Sequence, residues 1–402
     1  MNTTNYIPAI SVGALVTYFK QNEKINGKSM RFYQQNPDNV FNYPYLLISA
    51  GHNYTKDTKT DFGYNFTDGK EKIILGDSGG FQIATGAIKY TQEIVEQIFK
   101  WLENNSNFAI NLDLPPSLAF QANNKEKFND YLNKTVHNMQ FFEKNQSGKT
   151  KYLNVLHGRD IDQLNEWYNK VKDFQFTGGW SFGSSAARSV FTALFSFFYI
   201  YTKGEFQRLS KLPGKKLIHF LGVSAMEIIP ILIYLQKKLN DMQLDAKITF
   251  DSSSPFMQAN YGKYMMRKRS VLISNKLVHN EQWNKEVKLP CICPVCQGLR
   301  WKDILNLKKV DKASFDCRFY TIISLHNLYS LISQEYEMKN VINLNCPEIT
   351  ESYFSNIILT AFKIIDKIFE SDNPLAVLYE HQNYFRKFDN EPENENLEDL
   401  FS

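Results

Sequence analysis

Apolar residues along this chain fall into short continuous runs, separated by longer stretches in which they recur every three or four positions. The runs are YLLISA (45–50), KIILGD (72–77), FAINLD (108–113), YLNVLH (152–157), FQFTGG (174–179), LIHFLG (217–222) and KITFD (247–251). Strands buried on both faces read in this way, whereas half-exposed strands alternate apolar and polar residues. Between the runs, residues 92–104, 124–145, 160–172, 186–202 and 225–239 have the period of amphipathic helices. Repeated strand–helix alternation predicts a parallel sheet in an α/β fold. A further strand around Ile10–Thr17 brings the runs to eight, the number in a (β/α)8 TIM barrel. No internal repeat or long low-complexity linker interrupts the series.

The ends of the runs matter more than their number. Asp77, Asp113, His157, Gly178, Gly179, Gly222 and Asp251 all fall at the carboxyl end of an expected strand or one residue past it. In a barrel those ends open on one face, where active sites are built. A doubly wound sheet accounts for the alternation too, but not for so many chemically able residues at the same end. The barrel is therefore the expected fold.

Cys291, Cys293 and Cys296 form C-x-C-x2-C, and His326 follows in SLHNLYSLI. Three thiolates and an imidazole are the usual closed tetrahedral set for structural zinc. The turn-forming Pro290, Pro294 and Gly298 around the thiols suit such a loop. The other two cysteines, Cys317 and Cys346, read as buried thiols. Four protein ligands leave no open position, which points away from a zinc hydrolase.

Composition adds limits. At 402 residues and 43% hydrophobic, the chain can bury a large core. No stretch reaches the roughly 18 apolar residues of a membrane helix. The start, MNTTNYIPAIS, lacks the layout of a secretion signal, so a reducing cytoplasm is expected, and five cysteines there indicate metal or free thiols. The net charge of +4 is uneven: residues 389–402 carry six acids and no Lys or Arg, so residues 1–388 carry +10. A basic body is compatible with nucleic-acid binding, and the acidic tail reads as a solvated, disordered end.

Taken together, GDSGGFQ (76–82), LDLPP (112–116), VLHG (155–158), GGWSFGS (178–184), HFLGVS (219–224), FDSSSP (250–255) and the C-x-C-x2-C…H cluster resemble the tRNA-guanine transglycosylase family. The match runs in family order over about residues 70–330. Within the family the chain looks most like the divergent branch that modifies DNA, the DNA-guanine transglycosylases of 7-deazapurine systems, found in bacteria and phages. The resemblance implies a transferase that exchanges guanine in nucleic acid for 7-cyano-7-deazaguanine, with no membrane involvement; a homodimer is left open. It also implies a barrel over 1–270, an inserted zinc-binding subdomain over 271–345, helices over 346–388 packing back on the barrel, and a tail over 389–402.

Roles follow by position. The resemblance places the nucleophile at Asp251 and the acid/base at Asp77, for which a helix cap is the plain alternative. Asp113 matches the aspartate that reads the base, accepting the N1–H and 2-amino hydrogens of a guanine-like face. Ser78, the backbone at Gly178 and Gly179, and Gly222 would complete the base contacts, with Phe81 and Leu221 sandwiching the ring.

The chain also departs from the family. His157 replaces the usual glutamine and can still donate to a carbonyl oxygen, though a core histidine is as good an account of it. Ser184 stands where bacterial tRNA enzymes carry a glutamate serving a cationic aminomethyl base. After the nucleophile, SSSPFMQANYGKYMMRKRS replaces an arginine-bearing stretch that grips the anticodon loop. Phe256, Met257 and Gln258 there are candidates to fill the stack left by a flipped base. Arg267, Lys268 and Arg269 are candidate phosphate contacts. Two rivals stay open: a tRNA enzyme inserting the same base, and a non-catalytic accessory subunit that only binds nucleic acid.

Overall fold

The computed structural model describes residues 5–11, 14, 19, 24–34, 36–51, 53–54, 72–116, 124–183, 189–223, 227–266, 269–272, 284–307 and 317–389, with backbone only for 269, 270 and 317. Eight parallel strands form one sheet: β1 (Asn5–Pro8), β2 (Tyr45–Ser49), β3 (Ile73–Asp77), β4 (Phe108–Ile110), β5 (Lys151–Leu156), β6 (Gly179–Phe182), β7 (Leu217–Phe220) and β8 (Lys247–Ser252). Hydrogen-bonded order runs β1-β8-β7-β6-β5-β4-β3-β2. Ala9 bridges to Leu47, and the Ile10 N–H donates to the Leu47 carbonyl at 3.2 Å, which brings the two edges together in a nearly closed barrel.

Alternation along each strand sorts the side chains. Ile7, Leu47, Ile73, Leu75, Phe108, Ile110, Leu153, Val155 and Leu217 form a separate apolar plug inside the barrel. Residues of the opposite parity on the strands, such as Ile74, Tyr152, Trp180, Ile218 and Phe250, belong to the larger core shared with the helices. By the same alternation Asp77 follows Leu75, and Asp251 follows Thr249, onto the inward side at the upper rim.

The helices are placed by capping and by their apolar stripes. Thr91, Asn124, Asp160 and Ser189 each accept a backbone N–H at the start of Gln92–Asn105 (α1), Lys125–Asn145 (α2), Ile161–Val171 (α3) and Val190–Thr202 (α4). Each such cap contributes about 1 kcal/mol. Ile229–Asp241 (α5) packs against the long Cys317–Asn343 helix (α6) and against Asn356–Glu370 (α7). Tyr234 stacks on Phe362 at 4.2 Å and donates to Asp366, which also pairs with Lys238 at 2.8 Å. Glu335 of α6 accepts the Tyr6 N–H at 3.2 Å and pairs with Lys339 at 2.8 Å, tying this helix to the first strand. No described helix is long and apolar enough to cross a membrane.

Two strands differ from expectation. The first lies at Asn5–Pro8 rather than Ile10–Thr17; Tyr6 and Ile7 are fully buried, and pairing continues just past Pro8, where the Ala9 N–H donates to the Ser252 carbonyl at 3.1 Å. The sixth begins at Gly179, where its carboxyl end was expected. Phe174 and Phe176 are not in a strand; they stack on each other at 5.8 Å, and Phe176 packs on Tyr152. Gly178 and Gly179 therefore sit at the lower end of β6, in ladder register with Leu153 and Leu217. Of the remaining expectations, residues 390–402, Arg267, Lys268, the Arg269 side chain, Ser184 and the Cys317 thiol lie outside the described residues.

Candidate active site and metal centre

The GDSGG turn is built to bring two loops together at the barrel rim. Asp77 ends β3 and faces inward. Ser78 donates to the Asn111 carbonyl at 3.2 Å, fastening this turn to the end of β4. Gly79 has φ +77, and a Cβ there would lie 2.6 Å from Gly51, so the conformation and the space both require glycine. A Cβ on Gly80 would lie 1.7 Å from the Asp113 carbonyl oxygen. The two glycines thus let the 77–80 turn press against the segment that carries Asp113.

Asp113 is held from behind. The Leu114 N–H donates to Thr135 at 3.0 Å, and Asn138 donates to the Leu112 carbonyl at 3.0 Å, both from α2. Its Oδ2 lies 2.6 Å from Nε2 of His157, with both side chains almost fully buried. Edge-on contact with Trp167 at 4.6 Å fixes the imidazole, whose Nδ1 has no hydrogen-bond partner among the described residues. Gly183 makes room for it: a Cβ there would meet the ring at 1.9 Å. The glycine that shapes this pocket is therefore Gly183, not Gly178 or Gly179. Sequence reasoning missed it because the strand was placed one step too early.

Asp251 is 7% exposed, and its Oδ1 accepts the Gly222 N–H at 2.7 Å. Gly222 has φ +71, a left-handed turn that directs its N–H to the carboxylate. On the same oxygen, Nε2 of His219 approaches to 3.3 Å, while Nδ1 lies 3.0 Å from the Thr249 hydroxyl. His219 and Thr249 were not singled out from sequence; their inward position in LIHFLG and KITFD was the available signal. Among the described residues both of these contacts fall on Oδ1, which leaves Oδ2 as the freer oxygen.

Asp77 is distinguished by its electrostatics. Burial pushes its carboxyl above the usual carboxylate range, and the charges of Asp113 and Asp251 add to this. The neighbouring Ser49 hydroxyl and the Gly79 N–H, 3.4 Å away, pull in the opposite direction. A carboxyl that holds its proton at higher pH is suited to proton transfer. Phe81 and Leu221 are half-buried, and Leu221 packs against the top of the apolar plug. The mouth can therefore supply a fixed carboxylate, a carboxyl whose proton affinity burial raises, and a buried His–Asp pair. Phe256, expected near this opening, is 4% exposed and packs edge-on against Phe19 at 6.5 Å, so it is unavailable to fill a base stack. Met257 and Gln258 are half-buried in the same short helix, Ser254–Asn260, which follows β8.

The second cluster is of a different kind. Ligand atoms of Cys291, Cys293, Cys296 and His326 all lie within 4.8 Å of one another and can hold a metal ion. Nε2 of His326 lies 2.6 Å from the Met265 carbonyl, a contact only an N–H can make, which leaves Nδ1 as the ligand. Nδ1 is 3.5 Å from the Cys293 sulfur and 3.3 Å from the Cys296 sulfur. Tyr264 stacks on the imidazole at 3.7 Å, with its hydroxyl 3.3 Å from the Cys296 sulfur. Backbone N–H groups of Cys293 and Cys296 point at the sulfurs of Cys291 and Cys293. Hydrogen bonds from Cys293 and Cys296 hold the Cys291 thiol far below the usual range, and the same contact pushes Cys293 up to about 12 and Cys296 higher still. Cys346, by contrast, is half-exposed and donates to Glu348 at 3.1 Å, because it precedes the short Pro347–Tyr353 helix at the surface rather than in a core.

Fold and site together define a nearly closed α/β barrel with three aspartates and His157 at its carboxyl mouth, His219 one level below, and a Cys3His cluster able to bind metal. No protein-family model matches the chain, and no curated protein does.

Proposed function

We propose that the chain is a guanine transglycosylase, exchanging guanine in DNA for 7-cyano-7-deazaguanine through a covalent aspartyl–sugar intermediate. The observation that carries this is the set of side chains at the barrel mouth: Asp251 with one oxygen anchored, Asp77 with its proton affinity raised by burial, and Asp113 braced by His157. Base exchange needs a nucleophile, a proton carrier and a base-reading group, and these three supply them.

In the proposed reaction Oδ2 of Asp251 attacks C1′ of the target nucleoside. The C1′–N9 bond breaks, its electron pair leaves on guanine, and the Asp77 carboxyl supplies a proton. The incoming base then loses its N9 proton to the Asp77 carboxylate, and N9 attacks C1′ and releases Asp251. One glycosidic bond replaces another, so no ATP is required. Asp113 accepts from the N1–H and 2-amino group, and a purine lacking those donors leaves the buried carboxylate unpaired, at a cost of about 1–3 kcal/mol or more.

Zinc is the metal this donor set suits. Ligand atoms around tetrahedral zinc lie about 3.8 Å apart at Zn–S distances near 2.3 Å, and a closed Cys3His set has a structural role. Cys291, Cys293, Cys296 and His326 would hold it and link the segment after β8 to helix α6.

DNA is favoured over tRNA because the arginine pair expected after the nucleophile is absent from SSSPFMQ (252–258). Single-stranded loops are read by stacking and by such arginine contacts. The 7-cyano base is favoured over its aminomethyl analogue because Ser184 supplies no carboxylate for an ammonium group, and an unpaired buried charge costs several kcal/mol. The test is exchange of labelled guanine into nucleic acid by the wild type and by Asp251→Asn. Exchange by the wild type that is lost in the variant supports the proposal; equal exchange by both removes Asp251 as nucleophile.

A further inference from the structure

The interior of the barrel carries a row of polar side chains one level below the mouth. Ser181, His219 and Thr249 are paired across three adjacent strands and are all fully buried. A buried histidine among apolar neighbours costs free energy unless its nitrogens are satisfied, and an aliphatic residue would fill the space without that cost. Nδ1 of His219 is satisfied by Thr249 at 3.0 Å. Nε2 lies 3.3 Å from Oδ1 of Asp251 but is not aligned as a hydrogen bond in the resting molecule.

The tautomer follows from the partners. A carboxylate oxygen can only accept, so the nitrogen facing it, Nε2, carries the hydrogen. A hydroxyl can donate, so Thr249 donates to Nδ1, which accepts. His219 is thereby presented to Asp251 as a donor, beside the Gly222 N–H on the same oxygen.

We infer that His219, fixed by Thr249, is a positioning residue that sets Asp251 as a leaving group. This rests on the transglycosylase reading. When Oδ2 forms the ester bond to C1′, negative charge leaves the carboxyl group. When the incoming N9 attacks C1′ and the ester C–O bond breaks, the bonding pair returns to Oδ2 and the charge spreads to Oδ1. Two donors on Oδ1, Gly222 N–H and His219 Nε2–H, stabilise the returning carboxylate. The His219 contact, loose at rest, tightens as that charge develops. Removing it leaves a more basic carboxylate that attacks as well as before but departs slowly.

The experiment follows two readouts on His219→Ala: exchange turnover, and the fraction of enzyme trapped as a covalent nucleic-acid adduct on denaturing gels. Turnover is expected to fall on the order of 10²-fold, the effect of removing one such donor, while the adduct fraction rises. His219→Gln, whose amide nitrogen reaches about the position of Nε2, is expected to restore turnover in part. Thr249→Val, which frees the tautomer, should fall between the wild type and His219→Ala; these two variants carry the test if His219→Ala does not fold. Wild-type-like turnover and adduct in His219→Ala overturns the inference, and so does a joint fall of both readouts that glutamine does not rescue. If the wild type itself exchanges no base in DNA or RNA, the transglycosylase reading fails, and the inference with it.

Discussion

The barrel mouth and the metal cluster each crowd titratable side chains into a small space, yet they are built on opposite terms. At the mouth the groups come from strands far apart in sequence, and hydrogen-bonding capacity is left unspent: among the described residues Nδ1 of His157 is buried without a partner, and just below it Nε2 of His219 faces Asp251 without an aligned hydrogen bond. In the cluster three of the four groups come from one six-residue segment. Its spare valences are taken, with His326 tied to Met265, Cys296 approached by Tyr264, and backbone N–H groups aimed at two sulfurs. Unspent hydrogen-bonding capacity around a group of carboxylates is what a substrate can use. A saturated cluster with no open position can only hold structure.

If that contrast is right, damage to the two regions differs in kind. The largest effect is expected at the cluster. Cys293→Ala, or metal removal by a chelator, should cost stability first, because structural zinc contributes on the order of 10 kcal/mol of binding free energy that is coupled to folding. The check is thermal melting with elemental analysis; protein without stoichiometric metal that melts as a wild type would erase the distinction. Asp251→Asn should do the reverse, lowering exchange by about 10⁴-fold or more with little change in melting temperature. A variant that loses stability and activity together would place Asp251 in the scaffold.

Gly183→Ala sharpens the view of the mouth. The added methyl meets the His157 ring at 1.9 Å, so the imidazole must leave Asp113 or the strand must shift. Overpacking of this kind costs about 1–3 kcal/mol, and selectivity for guanine-like bases should fall with it. Competition between guanine and adenine would reveal this; unchanged selectivity would remove His157 from base reading.

The smallest effect concerns Asp77. Its folded pKa is raised above the unfolded value, so its stabilising contribution is fully present below the ordinary carboxylate range and is lost as pH rises through the raised value. Asp77→Asn is uncharged at every pH. The variant should therefore be more stable than the wild type above that window and little changed at about pH 3. Denaturant melts across pH test the sign; a variant destabilised equally at all pH values would contradict it.

What the sequence disclosed follows the same contrast. The cluster was legible from spacing alone, because C-x-C-x2-C brings three sulfurs together through local turns. Most strands were legible because both faces are apolar, as in IILGD and YLNVL. The sixth is hard to read because its inward residues are Gly179, Ser181 and Gly183, two glycines and a serine, so it lacks a continuous apolar run. The nearby FQF (174–176) has that look but packs as an aromatic stack outside the sheet. His219 was hidden for a related reason. Within LIHF a histidine reads as one polar residue in an apolar strand, and only parity with Leu217 and register with Thr249 turn it toward Asp251.

The central claim is base exchange at the mouth, and one measurement addresses it most directly. The protein is incubated with duplex DNA, single-stranded DNA and bulk tRNA, each with 7-cyano-7-deazaguanine, with and without host lysate to supply any missing partner. Each polymer is then digested to nucleosides for mass spectrometry. The predicted result is the 7-deazaguanine deoxynucleoside from DNA, absent with Asp251→Asn. Modified ribonucleoside from tRNA alone would keep the chemistry and move the substrate to RNA, whereas no modified nucleoside from any polymer, with or without lysate, would contradict the account.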